Sequence, residues 1–121
     1  MKGSLEVNEM FCYEKDILYV GEKSRKFPHD ILDVAEYGEK LIVLLEIPYG
    51  SDDINNIFCI DKETNIFWQS ENLEKLYPER SNLPYERIRV RDSVIYATDF
   101  AGRCYHISPE DGKIEDMEIV K

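Results

Sequence analysis

A chain of 121 residues with 43% hydrophobic side chains has the length of one domain and enough apolar surface for its own core, which argues against a disordered or fibrous chain. A formal net charge of -10 repels phosphates, so neither nucleic acid nor an anionic bilayer is expected as a partner; a basic protein is. Three cysteines, Cys12, Cys59 and Cys104, are odd in number and lack Cys-x-x-Cys spacing. The N-terminal stretch MKGSLEVNEMFCYEKD has no apolar signal core, and the longest apolar run, Leu41–Leu45, is too short to span a bilayer. The expectation is a cytoplasmic domain with reduced thiols.

In chain order, apolar residues recur with period two. Strands are expected at Met10–Tyr13, Asp16–Gly21, Ile31–Glu36, Lys40–Ile47, Asn55–Ile60 and Ile66–Ser70. After a break they resume at Tyr85–Arg91, Ser93–Thr98, Arg103–Ile107 and Ile114–Val120. Turn-forming clusters separate them, including Tyr49–Asp53, Asp61–Asn65, Asp99–Gly102 and Ser108–Gly112. Only Glu71–Leu76 has a helical pattern, with a poor cap at its start and Pro78 as its stop; the stretch from Glu71 to Pro84 connects two halves. Many short, turn-bounded strands predict an antiparallel all-β fold with at most one short helix.

The two halves resemble each other over about residues 31–70 and 85–120, within a single domain spanning 1–121. The alignment sets Leu32 and Val34 against Ile88 and Val90, and Leu41–Leu44 against Val94–Ala97. It also sets Phe58-Cys59-Ile60 against Tyr105-His106-Ile107, and Asn65 against Gly112. Both five-residue turns, Asp61–Asn65 and Ser108–Gly112, open on a side-chain oxygen and close on a residue tolerant of positive φ. The segment IDKETNIFW, Ile60 to Trp68, and the second copy SVIYATDFAGRCYHISPEDGKI resemble the blade repeat of quinoprotein-like β-propellers. The second copy departs from that pattern by having Asp116 or Met117 where a Trp would dock. The resemblance implies propeller-blade-like sheets. Two such blades, or three with the N-terminal strands, fall short of the four that a closed propeller requires, so a half-propeller, sandwich or half-barrel is expected. It implies blade packing only, and no quinone-binding or dehydrogenase residues.

Catalytic chemistry has few candidates. Cys104 and His106 share a strand face at i, i+2, as a nucleophile and base would; the alternative is chance spacing on a strand. His29 follows Phe27-Pro28 in a loop. Asp52, Asp53 and Asp61 lack calcium-loop spacing, and the glycines are scattered rather than gathered in a phosphate loop. The expectation is therefore no catalytic residue, no metal and no cofactor. Arg87, Arg89 and Arg91 alternate with Ile88 and Val90, forming a stripe that is either a solvated face or an anion contact.

The segment from Trp68 to Glu79 mixes aromatics with carboxylates. Trp68, Glu71, Glu74, Tyr77 and Glu79, together with Asp52 and Asp53, are the expected partner-binding residues; the alternative is that Trp68 is core. Small immunity proteins of bacterial toxin–immunity systems are similar in size, charge and lack of catalytic motifs. The first functional expectation is a non-enzymatic protein that covers the active site of a basic, nuclease-type toxin. A self-associating propeller-like structural or ligand-binding module, and a hydrolase using His106, are the alternatives. The sequence does not specify an oligomeric state.

Overall fold

The computed structural model describes residues 11–120. Met10, where the first strand was expected to begin, lies outside them. The described chain forms three antiparallel meanders, each a propeller-blade-like sheet, with one short helix and no closed barrel. Blade one holds β1 (Phe11–Glu14), β2 (Ile17–Val20) and β3 (Lys23–Lys26). Blade two holds β4 (Ile31–Tyr37), β5 (Lys40–Leu45), β6 (Ile57–Ile60) and β7 (Ile66–Gln69). The helix α1 (Leu73–Leu76) follows. Blade three holds β8 (Tyr85–Arg91), β9 (Val94–Asp99), β10 (Arg103–Ile107) and β11 (Ile114–Ile119).

The expected all-β class and the two sheet repeats are present, each with four strands, preceded by a three-stranded sheet. β3 was not anticipated. Its four residues, Lys-Ser-Arg-Lys, contain no apolar side chain, so no alternation marks them. It is held by charge instead: Lys26 bonds Asp16 at 2.7 Å, Lys23 pairs with Glu63 at 2.9 Å, and the Arg25 guanidinium donates to the Thr64 carbonyl of blade two. In α1, Asn72 caps well, its side chain accepting from the amides of Glu74 and Lys75.

Strand register corrects the repeat alignment. In blade two, Ile42 opposes Cys59 and Cys59 opposes Trp68; in blade three, Tyr96 opposes His106 and His106 opposes Asp116. Phe58-Cys59-Ile60 therefore do match Tyr105-His106-Ile107. β9 slips by one, however, so Leu41 matches Ile95, and β8 slips by two, so Val34 matches Ile88. The turn residue with positive φ is Thr64 (φ 67°), not Asn65, and it occupies the place of Gly112 (φ 77°). Thr64 pays a β-branched penalty there, offset by the Asp61 side chain, which accepts from the amides of Glu63 and Asn65 and locks the turn.

The blades stack face to face. One face of blade two, with Leu41, Val43 and Leu45, packs on Leu18, Val20 and Phe27 of blade one and its connection. Its other face, with Ile42, Leu44, Ile57, Cys59 and Trp68, packs on Ile88, Ile95, Ala97, Tyr105 and Ile107 of blade three. Burial pushes the Cys59 thiol up to about 11. Between blades two and three the buried Asn56 acts as a bracket. Its side-chain amide donates to the Leu45 carbonyl (2.7 Å) and the Tyr85 carbonyl (2.9 Å), and its oxygen accepts from the Tyr85 amide (2.9 Å). Removing that side chain leaves buried backbone groups of both sheets unpaired. Asn56→Ala is expected to lose about 3 kcal/mol and lower Tm by roughly 10 °C. Urea melts at unchanged m-value are the check; a loss within 0.5 kcal/mol would show that the bracket is dispensable.

Candidate functional sites

The expected partner-binding residues divide between core and surface. Trp68 is core: its indole Nε1–H donates to the Pro109 carbonyl of blade three at 2.9 Å. A Cβ on Gly112 would lie 2.4 Å from the Trp68 ring, so the β10–β11 turn needs glycine both for this approach and for its φ. Trp68 thus docks blade two onto the turn of blade three. Glu71 is structural as well, its carboxylate accepting from the Ile114 amide (2.8 Å) while its own amide donates to the Gly112 carbonyl (3.0 Å). Asp52 and Asp53 are exposed in the β5–β6 connection, apart from this region, and Asp53 bonds His29 at 2.8 Å.

Glu74 and Glu79 are exposed, and Glu79 lines one surface depression with Tyr77. Tyr77 is half-buried, tilted against Tyr105 and covered by the Arg80 guanidinium at 3.8 Å; Arg80 also donates to the Tyr105 hydroxyl at 2.6 Å. This stack fixes the segment after α1. Two shallow depressions of about 440 Å³ each meet at Leu76 and Tyr77. One runs along β11 past Ile114, Glu115, Asp116 and Met117; the other runs past Pro78, Glu79 and Arg80. An apolar centre of Leu76, Tyr77, Pro78 and Met117 therefore has carboxylates around it. The β11 members were missed because β11 is far from α1 in sequence; the bonds of Glu71 to Ile114 and Gly112 and the shared core beneath Tyr77 and Met117 bring them together.

A second surface is the outer face of blade three. Cys104 opposes Glu118 directly across β10 and β11, and His106 lies two residues on, on the same side. His106 Nε2 lies 2.9 Å from a Glu118 carboxylate oxygen. The Cys104, His106 and Glu118 ligand atoms all lie within 4.8 Å of one another. Tyr96 meets the His106 ring edge-on at 4.8 Å and carries the Arg89 guanidinium over its own ring at 5.3 Å. A cleft of about 380 Å³ opens beside them, bounded by Arg87, Arg89, Phe100 and Val120. The Cys104–His106 juxtaposition was visible as an i, i+2 pair; Glu118 was not, because its partnership is one of strand register.

Three stacked meanders, the second and third joined by a docking tryptophan, define an all-β protein with propeller-blade-like sheets. The chain belongs to a family described as a domain of unknown function, DUF7957, which it matches over residues 9–119. No curated protein matches it. Among solved structures it is similar to BamB from Moraxella catarrhalis, a β-propeller, at 12% identity and a TM-score of 0.61, covering 92% of this chain and 32% of that one. It is also similar to the computationally designed Ika8 protein, at 6% identity and a TM-score of 0.58, covering 93% of this chain and 36% of that one. A third likeness is to Myxococcus xanthus glutaminyl cyclase, at 14% identity and a TM-score of 0.51, covering 91% and 47% respectively. The chain spans between a third and a half of these proteins, and such identities show the fold alone.

As the chain's single tryptophan, Trp68 is expected to emit at short wavelength and to resist acrylamide quenching in the native state. Trp68→Phe should cost about 2 kcal/mol through the lost indole hydrogen bond and lost packing. Emission as accessible as in the urea-unfolded chain would place Trp68 on the surface and overturn its docking role.

Proposed function

We propose that this chain is a non-enzymatic protein-binding domain that takes a basic protein partner on the surface formed by α1, the segment after it, and β11. The observation that carries the reading is the apolar centre of Leu76, Tyr77 and Met117 among Glu79, Glu115 and Asp116, with Glu74 exposed on α1. Interfaces gain affinity from a central aromatic or aliphatic anchor and gain selectivity and association rate from complementary charge around it. A net charge of -10 extends that field over the whole molecule and favours cationic partners. Arg80 keeps its charge beside them but is held against Tyr77 and Tyr105, and the carboxylates lining the two depressions outnumber it.

The finer reading is an immunity-type inhibitor: the carboxylates occupy the phosphate-binding cations of a nuclease toxin while Tyr77 and Leu76 seal the edge. Size, charge and the pinned, preorganised segment support it, since a rigid epitope binds with less ordering cost. The self-associating alternative has less support, because the outer face of blade three is polar. The test is capture of a partner by the untagged chain, immobilised through Cys12, at low and then high salt. A single basic protein should be retained at low salt. Glu74→Lys with Glu79→Lys should weaken its binding by more than roughly tenfold, mainly through slower association, and Leu76→Ala by roughly tenfold, mainly through faster dissociation. Binding unaffected by either change would place the interface elsewhere; recovery of only acidic or neutral proteins would overturn the reading.

A further inference from the structure

The repeat supplies an internal control for the outer face of blade three. On blade two the corresponding face is apolar: Ala35, Ile42, Leu44, Ile57, Cys59 and Trp68 pack against blade three. Strand register puts Arg89, Tyr96, Thr98, Cys104, His106 and Asp116 in the same places on blade three. Every position that seals blade two onto its neighbour is therefore polar, charged, aromatic with a hydroxyl, or a thiol on blade three. Asp116 replaces the docking tryptophan, so this face lacks the device that fastens the next blade. Among the described residues no blade covers this face; its side chains have a different chemistry, and three of them converge.

We infer that Cys104, His106 and Glu118 form a binding site for a divalent transition metal of the zinc class. The donor set is one thiolate, one imidazole and one carboxylate. Soft and borderline donors of this kind suit zinc, whereas calcium and magnesium select oxygen alone. Zinc–ligand bonds of about 2.0–2.3 Å put tetrahedral donors about 3.5 Å apart. Here the three donor atoms already lie within 4.8 Å, and two of them are 2.9 Å apart. Rotation of the exposed Glu118 side chain closes the remainder without moving the backbone.

The fold supplies the preorganisation. Direct pairing across β10 and β11 fixes Cys104 against Glu118, and the two-residue strand repeat puts His106 on their side. The Tyr96 ring packs edge-on against the imidazole and limits its rotation. Cys104 is nearly buried, which shields the metal–sulfur bond from water, and binding releases the thiol proton to solvent. Three protein ligands leave a fourth position facing the cleft between Arg87 and Arg89 on one side and Phe100 and Val120 on the other. Among the described residues neither arginine has a carboxylate partner within ion-pair distance, so an anion in that fourth position would meet guanidinium groups without a counter-charge.

The test uses cobalt(II) as a spectroscopic probe for zinc in the untagged chain carrying Cys12→Ser, which removes the exposed thiol. Titration should saturate at one equivalent per chain, with a sulfur-to-cobalt charge-transfer band and tetrahedral ligand-field bands, both bleached by zinc. Cys104→Ser should abolish the charge-transfer band. His106→Gln and Glu118→Gln should each weaken affinity by roughly tenfold or more, whereas His29→Ala should leave it unchanged. Glu118 is exposed, so its variant keeps the fold, and circular dichroism verifies the others. Absence of a stoichiometric band, persistence of the band in Cys104→Ser, or full affinity in Glu118→Gln would each overturn the site.

Discussion

The structure depends on one sheet being buried on both faces. In β5 every residue from Leu41 to Leu45 is buried, because blade one covers one side of blade two and blade three covers the other. A strand in that position must be apolar throughout. Two hydrophobic cores, one on each face, then hold three sheets in a row. Non-directional burial does not set the angle or register between sheets; polar brackets do. Asn56 ties blade two to the first strand of blade three, Trp68 ties it to the β10–β11 turn, and Arg25 ties blade one to the corresponding turn of blade two. The same turn position, Thr64 in one blade and Gly112 in the next, sits at each junction.

Much of this architecture is legible in the residues. Alternation and turn chemistry identify ten strands within a residue or two, and Phe58-Cys59-Ile60 against Tyr105-His106-Ile107 expose the repeat. What the residues do not reveal has physical reasons. β3 is written in Lys, Ser and Arg, and its pairing rests on hydrogen bonds and ion pairs that carry no periodic signal. The one- and two-residue slips in the repeat arise because β8 and β9 keep apolar residues at positions that fit several alignments. The positive φ at Thr64 runs against propensity and follows from the Asp61 hydrogen bonds that close the turn.

The two surfaces were legible to different degrees for a related reason. Tyr77 and Glu79 lie close together in sequence, so their meeting follows from local structure. Ile114, Glu115, Asp116 and Met117 complete the patch because Glu71 pins the start of β11 and Met117 shares a core with Tyr77. Trp68 sits in the same sequence segment and looks equally suited to an interface, yet it is consumed by blade docking. Proximity in sequence to an exposed segment therefore does not make an aromatic available; its neighbour across the blade junction decides that.

Charge is distributed across the third blade in a way that separates the two surfaces. Its first strand carries Arg87, Arg89 and Arg91 on the outer face, and its last strand carries Asp116 and Glu118, with Tyr96, Cys104 and His106 between them. The arginines stand as a local positive stripe on a strongly negative molecule, while the carboxylates of β11 merge with those around α1. Glu118 thus points into the end-face cluster and Glu115 and Asp116 border the apolar depression, although they share one strand. Alternation of side chains along a strand turns Glu115 and Met117 away from Glu118, so β11 serves both surfaces at once, with Asp116 on the Glu118 side at the rim of the depression. Among the described residues no blade covers this face; a blade seated on it as blade three sits on blade two would call for apolar residues in place of Cys104, His106 and Glu118, as their counterparts on blade two largely are.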